Sequence, residues 1–312
     1  MSKQITNNIL MIRPKKFGYN YETAKNNYYQ KNSLGLTVDE VQNRALLEFD
    51  MFVDILSQAG VNVIVVEDLK NIKSPDSVFP NNWFSTHANG KVVIYPMYAK
   101  NRRSERRKEI FHVLKNKYNF NIKQIVDFVF FEDNKQYLEG TGSMVLDREN
   151  KICYAAISQR TDEDVLMKFC NDFNYRLVSF SATQQVQGEI KAIYHTNVMM
   201  SIAERFAIVC LDSIVDAKEK DYVCASLKDS GKEVIEITIN QKNQFAGNML
   251  QLLGNEKYLV MSSSAYNSLK QQQIHRIEKY CSILHSSLDT IETCGGGSAR
   301  CMMAEIFLHK EL

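Results

Sequence analysis

Residues 195–211, HTNVMMSIAERFAIVCL, contain the pattern on which the whole chain is built. The polar His195 is followed by an apolar strand, a polar turn and a second apolar strand, which together predict a β-hairpin. Similar stretches occur four more times, the last one cut short by the chain end: NNWFSTHANGKVVIYPM (81–97), GTGSMVLDRENKICYAAI (140–157), GNMLQLLGNEKYLVMSS (247–263) and RCMMAEIFLHKEL (300–312).

A helix-like pattern, with apolar residues three and four positions apart, lies between successive hairpins. Four of these patterns lead into a strand-like run, and the fifth is followed by the weaker SLDTIET (287–293). The helix-like stretches are 45–60, 106–118, 163–173, 216–231 and 267–284. The recurrence predicts an α/β fold of five repeated units with pseudo-five-fold symmetry.

One residue opens each predicted hairpin: Asn82, Glu139, His195, Asn248 and Cys301, at intervals of 57, 56, 53 and 53 residues. Near-equal intervals place these residues at the same position in each unit. If the units close into a ring, an acid, an imidazole, two amides and a thiol converge on one cavity. The alternative is that the spacing is accidental and that these residues are ordinary turn formers.

Composition is typical of a globular protein. Of 312 residues, 45% are hydrophobic and 24% charged, and the formal net charge is +2. This charge favours neither nucleic-acid binding nor a polybasic membrane contact. No run approaches the roughly 18 apolar residues that span a bilayer, and no secretory signal is recognisable. The seven irregularly spaced cysteines include no CxxC, which argues against a disulfide framework and a zinc site and favours the cytoplasm.

A thiol, an imidazole and a carboxylate are sufficient for covalent catalysis at an sp² carbon. Cys301 follows the run Gly295–Gly297, where backbone can approach a ligand closely. We therefore expect Cys301 to be the nucleophile, His195 the acid/base and Glu139 the supporting carboxylate. Cys294 is the rival nucleophile, although it lies outside the hairpin position.

Four motifs, FPNNWFSTH, LEGTGSMV, YHTNVMMS and GGGSARCMM, resemble in this order the guanidine-modifying, or pentein, superfamily. The resemblance extends from about Arg13 to Met303. It implies a five-bladed α/β propeller formed by a single catalytic domain over residues 1–312, with the active site in the central cavity. It also implies that no metal or organic cofactor is needed and that the partner is a small amino-acid substrate.

The same resemblance assigns Cys301, His195 and Glu139 the roles given above. It further implies that an arginine of NRRSERR, Arg102 or Arg103, binds the substrate carboxylate, because a planar guanidinium suits a carboxylate. Asn248 falls where relatives carry a loop that contacts substrate. The alternative for the arginines is that they form the solvated, basic start of a helix. The alternative for Asn248 is that it only forms a structural turn.

Two positions depart from the arginine-deiminating relatives, in which aspartates hold the cationic guanidinium. Here they are Asn82 and Asn197. An amide offers a donor and an acceptor to a neutral ureido group, whereas a guanidinium facing only amides lacks charge compensation. The sequence thus resembles the citrulline-hydrolysing branch, which implies cleavage of citrulline to ornithine, carbon dioxide and ammonia, within arginine metabolism.

Three alternatives stay open. These asparagines could lie elsewhere while another acid, such as Asp76, binds a cation. The chain could deiminate arginine or a methylated arginine to citrulline. It could also be a binding module without chemistry, as in the ribosome anti-association factor that shares the fold. The sequence does not determine the oligomeric state.

Overall fold

The computed structural model describes residues 3–32, 35–69 and 74–311. Its strands are β1 Asn8–Arg13, β2 Asn62–Glu67, β3 Phe84–Thr86, β4 Lys91–Ile94, β5 Gln124–Asp127, β6 Val145–Asp147, β7 Ile152–Ala156, β8 Arg176–Phe180, β9 Thr183–Val186, β10 Glu189–Ala192, β11 Met200–Ile202, β12 Phe206–Val209, β13 Glu233–Glu236, β14 Leu250–Leu253, β15 Lys257–Ser262, β16 Ser282–Ser286 and β17 Ala304–Glu305. Its α-helices are α1 Val38–Gln58, α2 Glu109–Asn116, α3 Gly140–Ser143, α4 Glu163–Phe173, α5 Ala217–Asp229, α6 Ile239–Asn243, α7 Ser263–Ser268 and α8 Gln271–Glu278.

One arrangement recurs in five three-stranded sheets of the described chain. The first two strands pair antiparallel and the third adds parallel after a helical connection. The sheets have the orders β3-β4-β5, β6-β7-β8, β11-β12-β13, β14-β15-β16 and β17-β1-β2. A further hairpin, β9-β10, stands outside this pattern.

The described sheets are not hydrogen-bonded into one closed sheet. The fold is therefore a mixed α/β fold of five similar units, and the closed five-bladed propeller stays a prediction.

The helices follow from caps and apolar spacing. Thr37 and Glu40 form a reciprocal capping box at the start of α1. The Asp162 side chain accepts hydrogen bonds from two backbone N–H groups of α4, whose buried face includes Val165, Phe169 and Phe173 at spacings of four. Local sequence therefore specifies both the start and the buried face of α4.

The fifth unit differs from the sequence prediction. The stretch 267–284 was expected to be one helix, but helix α8 ends at Glu278 and strand β16 begins at Ser282. The run 287–293 contains no strand, because a wide helical turn, Ile291–Gly295, occupies its end. Strand β1, at the other end of the chain, completes the truncated hairpin. It pairs antiparallel with β17 and parallel with β2.

Short helical turns position the residues that open the hairpins. Asn82 ends the turn Pro80–Asn82 before β3, and Cys301 lies in the turn Ala299–Met302 before β17. Glu139 directly precedes α3, and His195 directly precedes the turn Thr196–Val198. No helix in the described ranges is both long and apolar enough to cross a membrane.

Candidate active site

Glu139 and His195 form the central polar pair. The His195 Nε2 and Glu139 Oε2 atoms are 2.8 Å apart, and both side chains are almost completely buried. Arg160 approaches the same carboxylate oxygen, with its Nη1 3.4 Å from Oε2. Gly142 packs against the imidazole so closely that an added Cβ would lie 2.9 Å from its Nδ1.

The buried surroundings change the pKa values of His195 and Glu139 for different reasons. Burial lowers the pKa of His195 to about 4, although the neighbouring Glu139 opposes the shift. Burial alone would raise the pKa of Glu139, but Arg160 and His195 outweigh that effect and hold it below its ordinary value. At neutral pH the carboxylate is therefore charged and the imidazole neutral. Because Nε2 donates to Glu139, Nδ1 is the nitrogen that remains for proton transfer.

Two amides surround the thiol. The Nδ2 atoms of Asn248 and Asn197 lie 3.2 Å and 3.5 Å from the Cys301 Sγ. The backbone N–H of Cys301 donates to the Asn248 Oδ1 at 3.3 Å, which fixes the orientation of that amide. This donor pattern suits a sulfur that carries negative charge.

The orientation of Asn82 is fixed by Arg102, whose Nη1 donates to the Asn82 Oδ1 at 2.8 Å. A guanidinium has only donors, so the amide oxygen must face it and the NH₂ group must face away. The Asn82 Nδ2 is buried and has no hydrogen-bond partner in the described structure. The Asn197 Oδ1 is in the same condition. These two amides thus hold one unused donor and one unused acceptor.

A small cavity lies among Asn82, His195 and Cys301. It has a volume of about 10 Å³, room for about one water molecule. In this form of the protein the cavity is smaller than an amino acid. Asn197 and Asn248 do not line it, and Asn197 lines a neighbouring cavity instead. The walls of the small cavity are formed by Asn27, Asp76, Phe79, Asn82, Arg102, Arg160, Tyr194, His195, Gly295, Gly296, Gly297 and Cys301.

The segment before α1 supplies that wall. The Asn27 Nδ2 donates to the carbonyls of Gly295 and Gly296, and the Gln30 Nε2 donates to the Gly295 carbonyl at 3.0 Å. Asn26 accepts hydrogen bonds from two nitrogens of Arg160. These polar contacts hold the segment against the glycine run and Arg160, and Asn27 is its residue in the cavity wall.

The two arginines that the sequence predicts as carboxylate-binding residues, Arg102 and Arg103, lie in different surroundings. Arg102 lines the cavity, but its charge is already matched by Glu105, which accepts from its Nε at 2.9 Å and its Nη2 at 2.8 Å. The Arg103 Nε lies 3.2 Å from Glu132 and donates to the Met97 carbonyl, and Arg103 does not line the cavity.

Sequence reasoning missed Arg160 and gave Asp76 only as an alternative. Arg160 lies outside the repeat position, and a single arginine carries no motif by itself. The Asp76 Oδ2 accepts from Asn20 at 2.8 Å and Thr23 at 2.9 Å, while its Oδ1 is buried without a partner. Burial raises the pKa of Asp76, and Arg102 partly offsets this. Within the described residues, no group of three or more His, Cys, Asp or Glu side chains is arranged to hold a metal ion.

Comparison with known proteins places the chain in a family. A family model described as N,N dimethylarginine dimethylhydrolase, eukaryotic, matches residues 13–308. A search of curated proteins found no match.

Several solved structures share the fold. The apo arginine dihydrolase ArgZ of the cyanobacterial ornithine–ammonia cycle is 17% identical, with a TM-score of 0.73 over 96% of this chain. Unliganded AgrE is 18% identical, with a TM-score of 0.74 over 96% of this chain. The chain spans only 40% and 39% of those two proteins. The dimethylarginine dimethylaminohydrolase of Pseudomonas aeruginosa, solved as a mutant with citrulline, is 13% identical, with a TM-score of 0.65 over 97% of this chain and 100% of its own.

The protein is accordingly a member of a family whose description names a hydrolase. It belongs to the dimethylarginine dimethylhydrolase family and, with it, to the guanidine-modifying superfamily.

Proposed function

We propose that this protein hydrolyses citrulline at its ureido group, giving ornithine, carbon dioxide and ammonia. The observation that carries the proposal is the Asn82 Nδ2, an unused donor on the cavity wall. The Asn197 Oδ1 is an unused acceptor; the NH₂ of the same amide contacts the thiol, and the residue lines the neighbouring cavity. A ureido group supplies what both lack, since its carbonyl accepts from Asn82 and its NH₂ donates to Asn197.

A guanidinium fits this pair less well. It has no acceptor, so the Asn82 NH₂ would face another donor, and Arg102 prevents the amide from turning its oxygen inward. A buried donor left unpaired costs about 1–3 kcal/mol, in addition to the uncompensated cation. Both effects favour the neutral substrate.

Charged residues of the same cavity can bind the α-ammonium and α-carboxylate groups of citrulline. The free Asp76 Oδ1 can accept the α-ammonium group. Arg160 is better placed than Arg102 to hold the α-carboxylate. It is bonded to the neutral Asn26 and the Thr23 carbonyl, and only at 3.4 Å to a carboxylate, Glu139, whereas Glu105 already neutralises Arg102. The proposal therefore assigns the carboxylate to Arg160 and gives Arg102 the task of orienting Asn82.

The chemistry follows from the proposed roles of Cys301 and His195. The sulfur attacks the ureido carbon, and the His195 Nδ1 takes the thiol proton and delivers it to the departing nitrogen. Glu139 stabilises the imidazolium that forms between these steps. His195 then takes a proton from the water that attacks the thiocarbamate carbon and passes it to the departing sulfur, which regenerates the thiol and leaves a carbamic acid. The carbamic acid breaks its remaining C–N bond and gives carbon dioxide and the second amine. One citrulline and one water give ornithine, carbon dioxide and ammonia.

The proposal is tested by incubating purified protein separately with citrulline and with arginine and assaying ornithine, citrulline and ammonia. We expect ornithine from citrulline, no activity in Cys301→Ala and retained activity in the matched Cys294→Ala variant. Wild-type rates in Cys301→Ala would remove the proposed nucleophile.

The second candidate is hydrolysis of arginine or a methylated arginine to citrulline. Asp76 favours it, because a buried carboxylate with a free oxygen could accept a guanidinium instead of an ammonium group. In that case the same assay yields citrulline from arginine and leaves citrulline unchanged.

A further inference from the structure

Another cavity lies at the turns of two hairpins, β3–β4 and β6–β7, and we call it the turn cavity. Its volume is about 50 Å³, room for about four water molecules. It lies at the other ends of these hairpins from Asn82 and Glu139, and it shares no lining residue with the catalytic cavity. Its wall includes Lys3, His87, Arg148, Lys151, Phe173 and Phe307.

The charged residues of this wall are all cations. Lys3, Arg148 and Lys151 line the turn cavity, and no aspartate or glutamate of the described residues does. Lys91 lies beside it, because its Nζ is 5.4 Å from the centre of the Phe173 ring. Within the described residues, none of these three lysines forms an ion pair with a carboxylate. The wall therefore carries positive charge that these residues do not neutralise.

Arg148 is the buried cation of the group. Its Nη2 lies 3.5 Å from the Glu305 Oε2, but the same oxygen accepts from Arg300 at 2.8 Å, so one carboxylate serves two guanidinium groups. The Arg148 Cζ lies 4.0 Å from the centre of the Phe307 ring, which keeps the guanidinium in place at the wall. Arg148 thus supplies a fixed positive charge, while the half-buried Lys151 and the exposed Lys3 can reach a ligand directly.

His87 responds to this charge. Its Nε2 lies 2.9 Å from the Ser85 Oγ, and its Nδ1 forms no hydrogen bond within the described structure. Burial, together with the charges of Arg148, Lys151 and Lys91, lowers the pKa of His87 well below its ordinary value, so the imidazole is neutral at neutral pH. An anion in the turn cavity would offset these charges and accept a hydrogen bond from Nδ1, which favours the protonated ring.

We propose that the turn cavity binds a phosphate group, carried by inorganic phosphate or by a small phosphate ester. Lys3 and Lys151 donate to its oxygens from the rim, the His87 Nδ1 donates from the wall, and the charge of Arg148 lies behind them. Because several cations face one small space, a dianion matches it better than a single carboxylate does.

The test is isothermal titration of the full-length protein at constant ionic strength with inorganic phosphate, glycerol 2-phosphate and glycerol. We expect inorganic phosphate to bind at one site per chain with a Kd of about 1 mM or lower, and the uncharged glycerol not to bind. Binding of the ester as well supports recognition of the phosphate group, and binding of inorganic phosphate alone supports a site for the free ion. Absence of saturable binding of both up to about 20 mM overturns the proposal.

Lysine variants locate the site. Lys3→Gln and Lys151→Gln should each weaken phosphate binding about threefold or more, because an ion pair at the rim is lost. Lys117→Gln is the matched control and should bind like the wild type, since Lys117 also lies over an aromatic ring, Tyr118, but does not line the turn cavity. Wild-type affinity in both Lys3→Gln and Lys151→Gln contradicts the proposal.

NMR pH titration of the histidine side chains gives a second readout, which needs no turnover and does not depend on the substrate of the catalytic cavity. Saturating phosphate should raise the pKa of His87, whose signals are identified by their absence from His87→Gln. A purely structural imidazole would not respond in this way. An unchanged His87 pKa contradicts the proposal, and so does a change at His195 in its place, because the ion then occupies the catalytic cavity.

Discussion

At the level of single residues, the proposed preference for a neutral substrate depends on the orientation of the Asn82 amide. Arg102 holds the oxygen, so the NH₂ group points away from Arg102 and, in the proposed complex, meets the ureido carbonyl. An aspartate at this position would still bond to Arg102, but it would present an acceptor in place of the donor. In the proposed site, replacing this one amide by a carboxylate should therefore change the preferred substrate.

We predict that Asn82→Asp lowers kcat/KM for citrulline by roughly 100-fold, since a hydrogen bond is lost and a charge faces a neutral group. The same variant should bind arginine more tightly than the wild type does. Asn82→Ala is the control, because it should lose citrulline activity without gaining affinity for arginine. Unchanged kcat/KM for citrulline in Asn82→Asp would show that the amide does not contact the ureido group.

The neutral, buried His195 also affects stability. Its pKa is about 4 in the folded protein and 6.5 when exposed, so between these values only the unfolded chain takes up the proton. Stability should therefore fall as the pH is lowered, by roughly 2 kcal/mol between pH 7 and pH 5. Urea denaturation at both pH values measures this loss, and His195→Gln should reduce it. An equal loss in the variant would mean that other groups cause it.

Most of the proposed site residues follow from the sequence because they occupy equivalent positions in a repeat. Asn82, Glu139, His195 and Cys301 are adjacent in the chain to similar turns and come together in space. Arg160 could not be found in this way, because its position after β7 has no counterpart that identifies it. The orientation of Asn82 was also beyond the sequence, since it depends on a contact with Arg102.

At the level of elements, the short helix α3 shows how closely the backbone is packed around the site. A Cβ at Gly142 would lie 2.4 Å from the Asn82 Nδ2 and 2.9 Å from the His195 ring. The side chains of Asn82 and His195 must both move if this position carries a methyl group. The glycine is therefore required by the positions of two site residues.

Gly142→Ala should reduce kcat by roughly 100-fold through displacement of these groups, an effect expected when reacting groups shift by about 1 Å. The control is Gly18→Ala, because a Cβ at Gly18 would meet nothing within 4 Å. Steady-state kinetics on both variants, with circular dichroism to confirm folding, makes the comparison. Wild-type kcat in Gly142→Ala would mean that the two side chains are not held by this contact.

The elements themselves were predicted with uneven success. Helix α4 coincides with its predicted range, 163–173, because a cap and a regular apolar face mark it. The prediction for the fifth unit was wrong, because the strand Ser282–Ser286 continues the apolar pattern of the preceding helix and no helix-breaking residue separates the two. Periodicity alone cannot distinguish a short buried strand from the end of a helix.

At the level of the whole molecule, the two chain ends complete one sheet. Leu10 of β1 pairs with Ala304 of β17, only three residues after Cys301. The repeat pattern in the sequence did not reveal this pairing, because β1 has no hairpin partner near it in the chain. The two residues are almost 300 positions apart, so no local pattern in the sequence could indicate their contact.

Leu10→Ala should lower the free energy of unfolding by roughly 2–5 kcal/mol, since Leu10 is completely buried. Leu47→Ala, at a position that is 64% exposed, is the control and should have little effect. Urea denaturation followed by circular dichroism measures both. Equal stabilities would show that β1 contributes little to the sheet.

The central claim is that the cavity prefers a neutral ureido group to a guanidinium. It is tested most directly by measuring kcat/KM of the wild-type enzyme for L-citrulline and L-arginine under identical conditions. Unpaired donor and charge effects together predict a preference for citrulline of roughly 100-fold or more, with ornithine as the product. An equal or higher value for arginine would contradict the claim.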